Sequence, residues 1–314
     1  MRKLSNYILN YPRTLYLCME MLHKPMPRGL ARALVLGNHT PLSSALCLRT
    51  YDGSDQACHP SYVRFHGKEF LACTPYPYGL EWYENPCVLK KVPDEKGFQP
   101  VFSAFPLAEA KNRGAEHYSD PCLAATPDKI SMVFRKCVRS SGGKTDQLYR
   151  TVSADGEVWS DPVLIAEGAG DTLISPALAG GTVFCVEAVQ GRTGIVKYNA
   201  DLSGTLSGRM ECSVAGMAPQ WQVWHIDVRQ NADGAYEGLF MLRDCETGDH
   251  SQLALFTYAQ DVWTMVRELP LSEEERRHVS MIYKSCFFKD GSILCSARDD
   301  RDRWILFRKD LCNG

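Results

Sequence analysis

The sequence of 314 residues lacks the features that mark several large classes of protein. It contains no uninterrupted apolar run of about 18 residues, the minimum for a helix that spans a membrane. Neither sign of charge is in excess, because 35 basic side chains stand against 37 acidic ones. A general nucleic-acid binder needs a basic stripe. We therefore expect neither a membrane partner nor a nucleic-acid partner.

Several catalytic and metal-binding signatures are also missing. The 13 cysteines form no C-x-x-C pair, which is the short knuckle on which most structural zinc sites depend. No G-x-S-x-G elbow, P-loop or G-x-G-x-x-G motif is present. These absences disfavour zinc domains, α/β-hydrolases and nucleotide-dependent enzymes, and we expect neither a metal nor a cofactor.

The cysteines that are present lie mostly inside apolar, strand-like runs, as Cys185 and Cys295 do. A thiol in such a run acts as a small hydrophobic group. This placement favours reduced thiols in a cytoplasmic or virion protein, and the disulfide framework of a secreted protein is the alternative. The N-terminus agrees with a cytoplasmic location, because Pro12, Arg13 and Glu20 interrupt the apolar stretch that a signal peptide needs.

The pattern of the chain changes near residue 43. Residues 12–35 carry Leu, Met and Ala at mixed helical spacing, broken by Pro25 and Pro27, which predicts a short helical or extended N-terminal arm over residues 1–42. Over residues 43–314, about twenty short runs rich in β-branched and aromatic residues alternate with Asp-Gly and Gly-Gly turn signals. The sequence therefore predicts an all-β fold behind an N-terminal arm.

A weak repeat recurs in the β region roughly every 50 to 60 residues. Each copy places a polar residue beside Pro or Asp at the start of an apolar strand, and a second strand follows. The copies begin at His59-Pro60-Ser61, Ser119-Asp120-Pro121, Ser175-Pro176, His225-Ile226-Asp227 and Tyr283-Lys284-Ser285. Five such units predict a five-bladed β-propeller, whose four-stranded sheets surround a central channel. An irregular β-sandwich is the alternative.

Two local motifs indicate structure rather than catalysis. The segment from Ser153 to Trp159 places Asp-Gly in a tight turn with a Trp shortly after it, similar to the Asp-box of sialidases but one residue shorter. Gln260-Asp261-Val262-Trp263 is a degenerate copy. Ser272 with Glu275 forms a capping-box pattern, which predicts one short helix.

Through the repeat starts given above, the chain resembles the five-bladed β-propeller glycoside hydrolases of the family-43-like superfamily over residues 43–310. The remaining residues that carry the resemblance are Thr74-Pro75-Tyr76-Pro77, Tyr83-Glu84-Asn85-Pro86 and the segment from Trp224 to Val228. The resemblance implies an axial pocket with an Asp of the first blade as general base, a second Asp that tunes pKa, a Glu as general acid, and inverting hydrolysis. This sequence has His59-Pro60-Ser61 where that first Asp is expected. The base is then Glu84, Asp120 or His59, or the pocket hydrolyses nothing.

Three acidic residues are the candidates for catalysis, which in glycosidases needs one protonated and one ionised carboxyl. Asp120 begins an inner strand and can face the channel, or can cap the strand. Asp227 shares a strand face with His225, which indicates a channel pair or a structural hydrogen bond. Glu187 interrupts an apolar strand, so that burial would raise its pKa towards that of a proton donor, unless a salt bridge with Arg192 or another base holds it.

Six further residues are candidates for binding a sugar. They comprise imidazoles, an acid in an aromatic run, two bases and a stacking ring, namely His59, Glu84, Arg135, Trp224, His225 and Lys284. The aromatic run beside Glu84 can equally be packing between blades. We expect a glycosidase-like enzyme acting on an oligo- or polysaccharide, with a non-catalytic glycan-binding propeller as the alternative. The sequence does not determine the oligomeric state.

Overall fold

The computed structural model describes residues 42–51, 53–92, 97–104, 116–140, 143–168, 172–189, 191–200, 205–248, 252–300 and 302–311. The predicted N-terminal arm, residues 1–42, lies outside these ranges except for Leu42. Its form stays a prediction.

The described residues form nineteen strands in five successive groups, so the expectation of an all-β fold is confirmed. The first group is β1 (Ala57–Phe65), β2 (Lys68–Pro75), β3 (Cys87–Lys91) and β4 (Phe98–Ser103). The second is β5 (Glu116–Ala125), β6 (Ile130–Ser140), β7 (Gly143–Ser153) and β8 (Val163–Glu167). The third is β9 (Thr172–Ala179), β10 (Thr182–Val189), β11 (Arg192–Asn199) and β12 (Ser207–Ala215). The fourth is β13 (Trp221–Gln230), β14 (Tyr236–Asp244), β15 (Gln252–Ala259) and β16 (Val262–Glu268), and the fifth is β17 (Val279–Phe287), β18 (Ser292–Asp299) and β19 (Trp304–Asp310).

Helical structure is sparse in the described part of the chain. One α-helix, α1 (Glu273–His278), is capped at its N-terminus by Ser272. The predicted capping box is present, because the side chains of Ser272 and Glu275 each accept a hydrogen bond from the other's backbone N–H. Two 3-10 turns, Pro77–Gly79 and Glu81–Tyr83, lie between β2 and β3. None of the described helices is long and apolar enough to cross a membrane.

Within each group the strands pair antiparallel in chain order. The third and fourth groups are joined because β12 and β16 pair in parallel, which makes one eight-stranded sheet. The isolated bridge from Ala45 to Phe307 ties the segment before β1 to β19, the last described strand.

The first strands of the five groups contact one another in a closed cycle, from β1 to β5, β9, β13, β17 and back to β1. Side chains of one first strand accept hydrogen bonds from backbone N–H groups of the next. The four bonds are Leu123 N to Ser61 Oγ (2.8 Å), Leu178 N to Cys122 Sγ (3.1 Å), Ile226 N to Ser175 Oγ (2.9 Å) and Phe287 N to Asp227 Oδ2 (2.8 Å). These bonds satisfy buried N–H groups at the axis, where an unpaired donor is costly.

A β-bulge interrupts β1, β5 and β9 at the predicted repeat starts. The residues in the bulges are His59-Pro60, Asp120-Pro121 and Ser175-Pro176. Proline has no N–H to donate to the ladder, so the pairing skips it. His59, Asp120 and Ser175 have φ values of 52°, 54° and 52°, an uncommon backbone conformation for residues other than glycine. Bulges redirect side chains, and here each bulge lies beside the axis.

The Asp-box-like turn has the structural role that the sequence predicts. Asp155 Oδ1 accepts hydrogen bonds from the backbone N–H groups of Glu157 and Val158, each at 2.8 Å, while Ser153 Oγ accepts from Gly156 N. Trp159 Nε1 donates to the Gly156 carbonyl at 3.0 Å. These hydrogen bonds all lie within the turn, and they stabilise it at the outer edge of the second group.

The core is apolar and takes up most of the cysteines. All eleven described cysteines are free thiols, and nine of them are buried. Cys185 and Cys295 are fully buried in apolar core clusters that combine side chains from neighbouring strand groups. Their environment agrees with the interpretation of these thiols as small hydrophobic groups.

Candidate functional site

Four of the bulged or irregular first strands direct polar side chains to one point on the axis. His59 comes from β1, Asp120 from β5, His225 from β13 and Lys284 from β17, and Arg135 reaches in from β6. Asp120 is fully buried, and the two imidazoles and Lys284 are each no more than 2% exposed. Buried charges are retained only where they are paired or functional.

The two oxygens of Asp120 have different surroundings. Oδ2 accepts a hydrogen bond from Ser119 Oγ at 3.0 Å and lies 3.3 Å from Arg135 Nη2. Oδ1 lies 3.2 Å from His225 Nδ1, 3.5 Å from His59 Nε2 and 3.9 Å from Lys284 Nζ. One oxygen is thus fixed by its neighbours, and the other faces the centre of the cluster.

Asp120 is held in the ionised form. Burial alone would raise its pKa, but the neighbouring His59, Arg135 and His225 side chains together outweigh burial and hold the pKa of Asp120 well below its usual value. A neighbouring carboxylate usually raises the pKa of a histidine, but the pKa of both imidazoles is lowered here. Burial, reinforced by Lys284 and Arg135, lowers the pKa of both His59 and His225 despite the attraction of Asp120. At neutral pH the cluster therefore holds a carboxylate between two neutral imidazoles.

Glu84 lies on the far side of the His59 ring from Asp120. The 3-10 turns before β3 bring Glu84 Oε1 to 3.8 Å from His59 Nδ1, and Glu84 Oε2 to 3.5 Å from His117 Nε2. His59 Nδ1 also lies 3.2 Å from Thr74 Oγ1. The His59 ring thus separates the Glu84 carboxylate from the Asp120 carboxylate.

An aromatic wall, formed by Tyr283, Trp304 and Tyr76, closes one side of the cluster. The Tyr283 ring lies 4.5 Å from the His225 ring and 5.2 Å from the His59 ring, centroid to centroid. Trp304 packs 5.2 Å from Tyr283 and 5.1 Å from Tyr76. Burial raises the pKa of the Tyr283 hydroxyl well above its usual value, so this hydroxyl stays protonated.

The cluster brings together side chains that could hold a metal ion, although no metal site was expected from the sequence. The ligating atoms of His59, Asp120 and His225 all lie within 4.8 Å of one another, and so do those of Cys58, His59 and Glu84. Burial, together with Glu84 and Asp120, raises the pKa of Cys58 well above its usual value. A protonated thiol is a poor ligand, so the set with Asp120 is the better candidate.

Six of the nine residues predicted from the sequence meet at the axial cluster, and these are His59, Glu84, Asp120, Arg135, His225 and Lys284. Tyr283 was overlooked because the sequence analysis used it only to mark a repeat start. Both its side chain and that of its neighbour Lys284 reach the cluster.

Glu187 does not join the cluster, contrary to the expectation that it meets Asp120 and Asp227. Its carboxylate accepts hydrogen bonds from Tyr198 Oη at 3.0 Å and from Arg209 Nε at 3.1 Å, and Arg209 Nη2 lies 2.5 Å away. The alternative interpretation, a salt bridge, therefore describes its contacts, with Arg209 in place of Arg192.

Asp227 and Trp224 flank the cluster. Asp227 Oδ2 accepts the hydrogen bond from Phe287 N, and burial raises the pKa of Asp227 to about 6. The Trp224 ring lies 6.2 Å from the His225 ring, and the Arg243 guanidinium stacks over it at 4.8 Å. One face of the Trp224 ring is therefore covered by Arg243.

No protein-family profile and no curated protein sequence matches the chain. Solved structures do match it. An N-acetylgalactosamine deacetylase from F. plautii, in complex with blood group B trisaccharide, is 17% identical, with a TM-score of 0.65 over 85% of this chain and 90% of that chain. A GH43_1 enzyme from Xanthomonas citri complexed with xylotriose is 14% identical (TM-score 0.60; 88% and 92%). A GH43 endo-arabinanase from Bacillus licheniformis is 15% identical (TM-score 0.55; 84% and 96%). The chain thus has a GH43-like propeller fold.

Proposed function

We propose that this protein is a carbohydrate-active hydrolase whose reaction centre is the axial cluster around Asp120. The observation that carries the proposal is the convergence of Asp120, His59 and His225, buried and from three different strand groups, at the axis of a fold shared with carbohydrate-processing enzymes. Strongly perturbed ionisable groups gathered at one point are typical of functional sites.

We further infer that the propeller has five blades, one for each strand group. Support comes from the closed cycle of contacts among β1, β5, β9, β13 and β17. The four side-chain hydrogen bonds between neighbouring first strands follow the same order. On this architecture the cluster lies where the five inner strands converge.

The groups of the cluster have complementary roles in hydrolysis. A neutral imidazole of His59 or His225 can accept a proton from water, and the ionised Asp120 orients the ring and stabilises the imidazolium that forms. Arg135 and Lys284 carry positive charge to the same centre, and the protonated Tyr283 can donate a hydrogen bond. The cluster therefore provides a base together with groups that stabilise negative charge.

This charge distribution favours hydrolysis of an acyl group on a sugar. In acyl transfer, negative charge develops on the carbonyl oxygen, which Lys284 and Arg135 would stabilise. In glycoside hydrolysis, positive charge develops on the sugar ring, which the same cations would oppose. The deacetylase among the structural neighbours acts, by its name, on an N-acetylated sugar. We propose an acylated sugar unit of a glycan as the substrate.

Hydrolysis of a glycosidic bond is the second candidate. The pKa of Asp227, raised to about 6, suits a proton donor at neutral pH, and Glu84 provides a further carboxyl near His59. The arabinanase and GH43_1 neighbours support the same reaction class. The two candidates differ in product, since one releases a carboxylic acid and the other a reducing end.

A product screen distinguishes them. The full chain is incubated with N-acetylated oligosaccharides, O-acetylated xylan, arabinan and xylan, and both free acetate and new reducing ends are measured. Acetate alone supports the proposal, and reducing ends alone support the second candidate. Binding of a glycan without either product indicates a glycan-binding propeller. The absence of both turnover and binding on a broad glycan panel contradicts a carbohydrate function.

A further inference from the structure

Three potential ligand atoms at the centre of the cluster lie within 4.8 Å of one another and make no hydrogen bond with any described residue outside the cluster. They are His59 Nε2, Asp120 Oδ1 and His225 Nδ1, and all three are buried. Buried polar atoms are nearly always satisfied, so three of them facing one point need an occupant. Two imidazole nitrogens and one carboxylate oxygen form a donor set that suits borderline divalent ions such as Zn²⁺, Co²⁺ and Mn²⁺.

A fourth buried polar atom without a hydrogen bond, Lys284 Nζ, faces the same point, and it belongs to a positively charged side chain. Lys284 is 1% exposed, and its Nζ makes no hydrogen bond with any described residue. It lies 3.9 Å from Asp120 Oδ1, the oxygen that both imidazoles face. An ammonium buried without hydrogen bonds is unfavourable, so its placement beside this carboxylate oxygen needs an explanation.

The charges around Asp120 Oδ1 explain it. Arg135 already pairs with Oδ2, so Asp120 meets two positive side chains from two different strands. A divalent ion bound to Oδ1 would lie within a few ångströms of the Lys284 ammonium, in a medium where charges interact more strongly than in water. Lys284 and a metal ion therefore cannot both be favourable neighbours of this oxygen.

We propose that the Lys284 ammonium and a divalent transition-metal ion compete for Asp120 Oδ1, so that Lys284 sets the metal affinity of the axial site. With Lys284 in place, the ammonium provides the positive charge of the centre. When the ammonium is removed or displaced, His59, Asp120 and His225 form a three-ligand metal site. The inference concerns the same cluster as the proposed function but does not require any particular substrate.

Metal titration in the absence of substrate tests the competition. The full chain is treated with EDTA and titrated with Co²⁺ and Mn²⁺, with calorimetry for affinity and the Co²⁺ absorption spectrum for coordination. Lys284→Met should bind at least about ten-fold more tightly than the wild type, because the opposing charge is gone. Lys197→Met, which removes a lysine that pairs with Asp261 far from the axis, is the matched control and should bind like the wild type.

A second substitution separates this site from adventitious binding. Adding Asp120→Asn to Lys284→Met should remove the gained affinity and the Co²⁺ spectrum. Lys284→Gln, with circular dichroism on every variant, provides the same test if the methionine variant does not fold. Equal affinity in wild type and both Lys284 variants, or no binding in any folded variant, overturns the inference. Metal binding as expected without hydrolysis would refute only the proposed function.

Discussion

Asp120 Oδ1 lies 3.2 Å from His225 Nδ1, although the two residues come from different strand groups that are not neighbours in the cycle. This contact exists only because the first strands close on one another around the axis. His59 approaches the same oxygen from a third group. The relationship therefore links the fold to the proposed reaction centre, because loss of closure would separate these side chains.

The hydrogen bonds between neighbouring first strands should contribute measurably to the free energy of unfolding. Ser175 Oγ both accepts from Ile226 N at 2.9 Å and donates to Ile226 O at 3.0 Å. Ser175→Ala should lower the free energy of unfolding by about 1–3 kcal/mol, because it leaves a buried N–H and a buried carbonyl without this partner. Urea denaturation measures the change.

The control for this prediction is Ser207→Ala, since Ser207 is an exposed residue of β12. It should change stability by no more than about 0.5 kcal/mol. Equal effects of the two substitutions would mean that the bonds at the axis contribute nothing to closure.

Asp227 should make the folded protein less stable at neutral pH than at low pH. Burial raises its folded pKa to about 6, above the ordinary value of 3.8, so the folded state keeps this proton longer than the unfolded state. Its contribution is therefore favourable at low pH and is lost as pH rises through about 6. Asp227→Asn should gain stability relative to the wild type, by up to about 3 kcal/mol at pH 7.5.

The check is thermal unfolding of wild type and Asp227→Asn between pH 4 and 8. The difference between them should be small at pH 4 and should grow as pH rises to 7.5. A difference that is constant over this range would show that Asp227 titrates in the fold as it does in the unfolded chain.

Tyr283 should act through both its ring and its hydroxyl. Tyr283→Phe keeps the packing on the two imidazoles but removes the donor, and should lower kcat about 100-fold with little change in KM. Tyr283→Ala also removes the ring that lies 4.5 Å from His225, and should shift the pH profile as well. Full activity of Tyr283→Phe would assign Tyr283 to packing alone.

Part of the site was predictable from the sequence because a local cause recurs along it. The pairs His59-Pro60, Asp120-Pro121 and Ser175-Pro176 each interrupt strand pairing, so a pattern of single residues identifies where the chain bends at the axis. The nearly all-β character followed from the alternation of short apolar runs and turns. Both signals are local, and local signals can be recognised without knowledge of tertiary structure.

The rest depended on contacts between strands that no local pattern encodes. Glu187 looked like an isolated acid in an apolar strand, but its partner Arg209 comes from β12, two strands further along the sheet. Tyr283, which the sequence did not single out for the site, reaches the two imidazoles only after the strand groups close. Residue identity indicated that Glu187 needed a partner, whereas the register of the sheet determined which partner it found.

The most direct test of the account is the rate of product release by wild type, Asp120→Asn and Glu237→Gln. Glu237 is a partly exposed carboxylate that pairs with Arg229 away from the axis, so its substitution makes the same chemical change outside the cluster. On whichever acylated glycan the wild type cleaves, the account predicts that Asp120→Asn loses about 100-fold or more in kcat/KM while Glu237→Gln keeps the wild-type value. Equal activity of folded Asp120→Asn and wild type would contradict a reaction centre at Asp120.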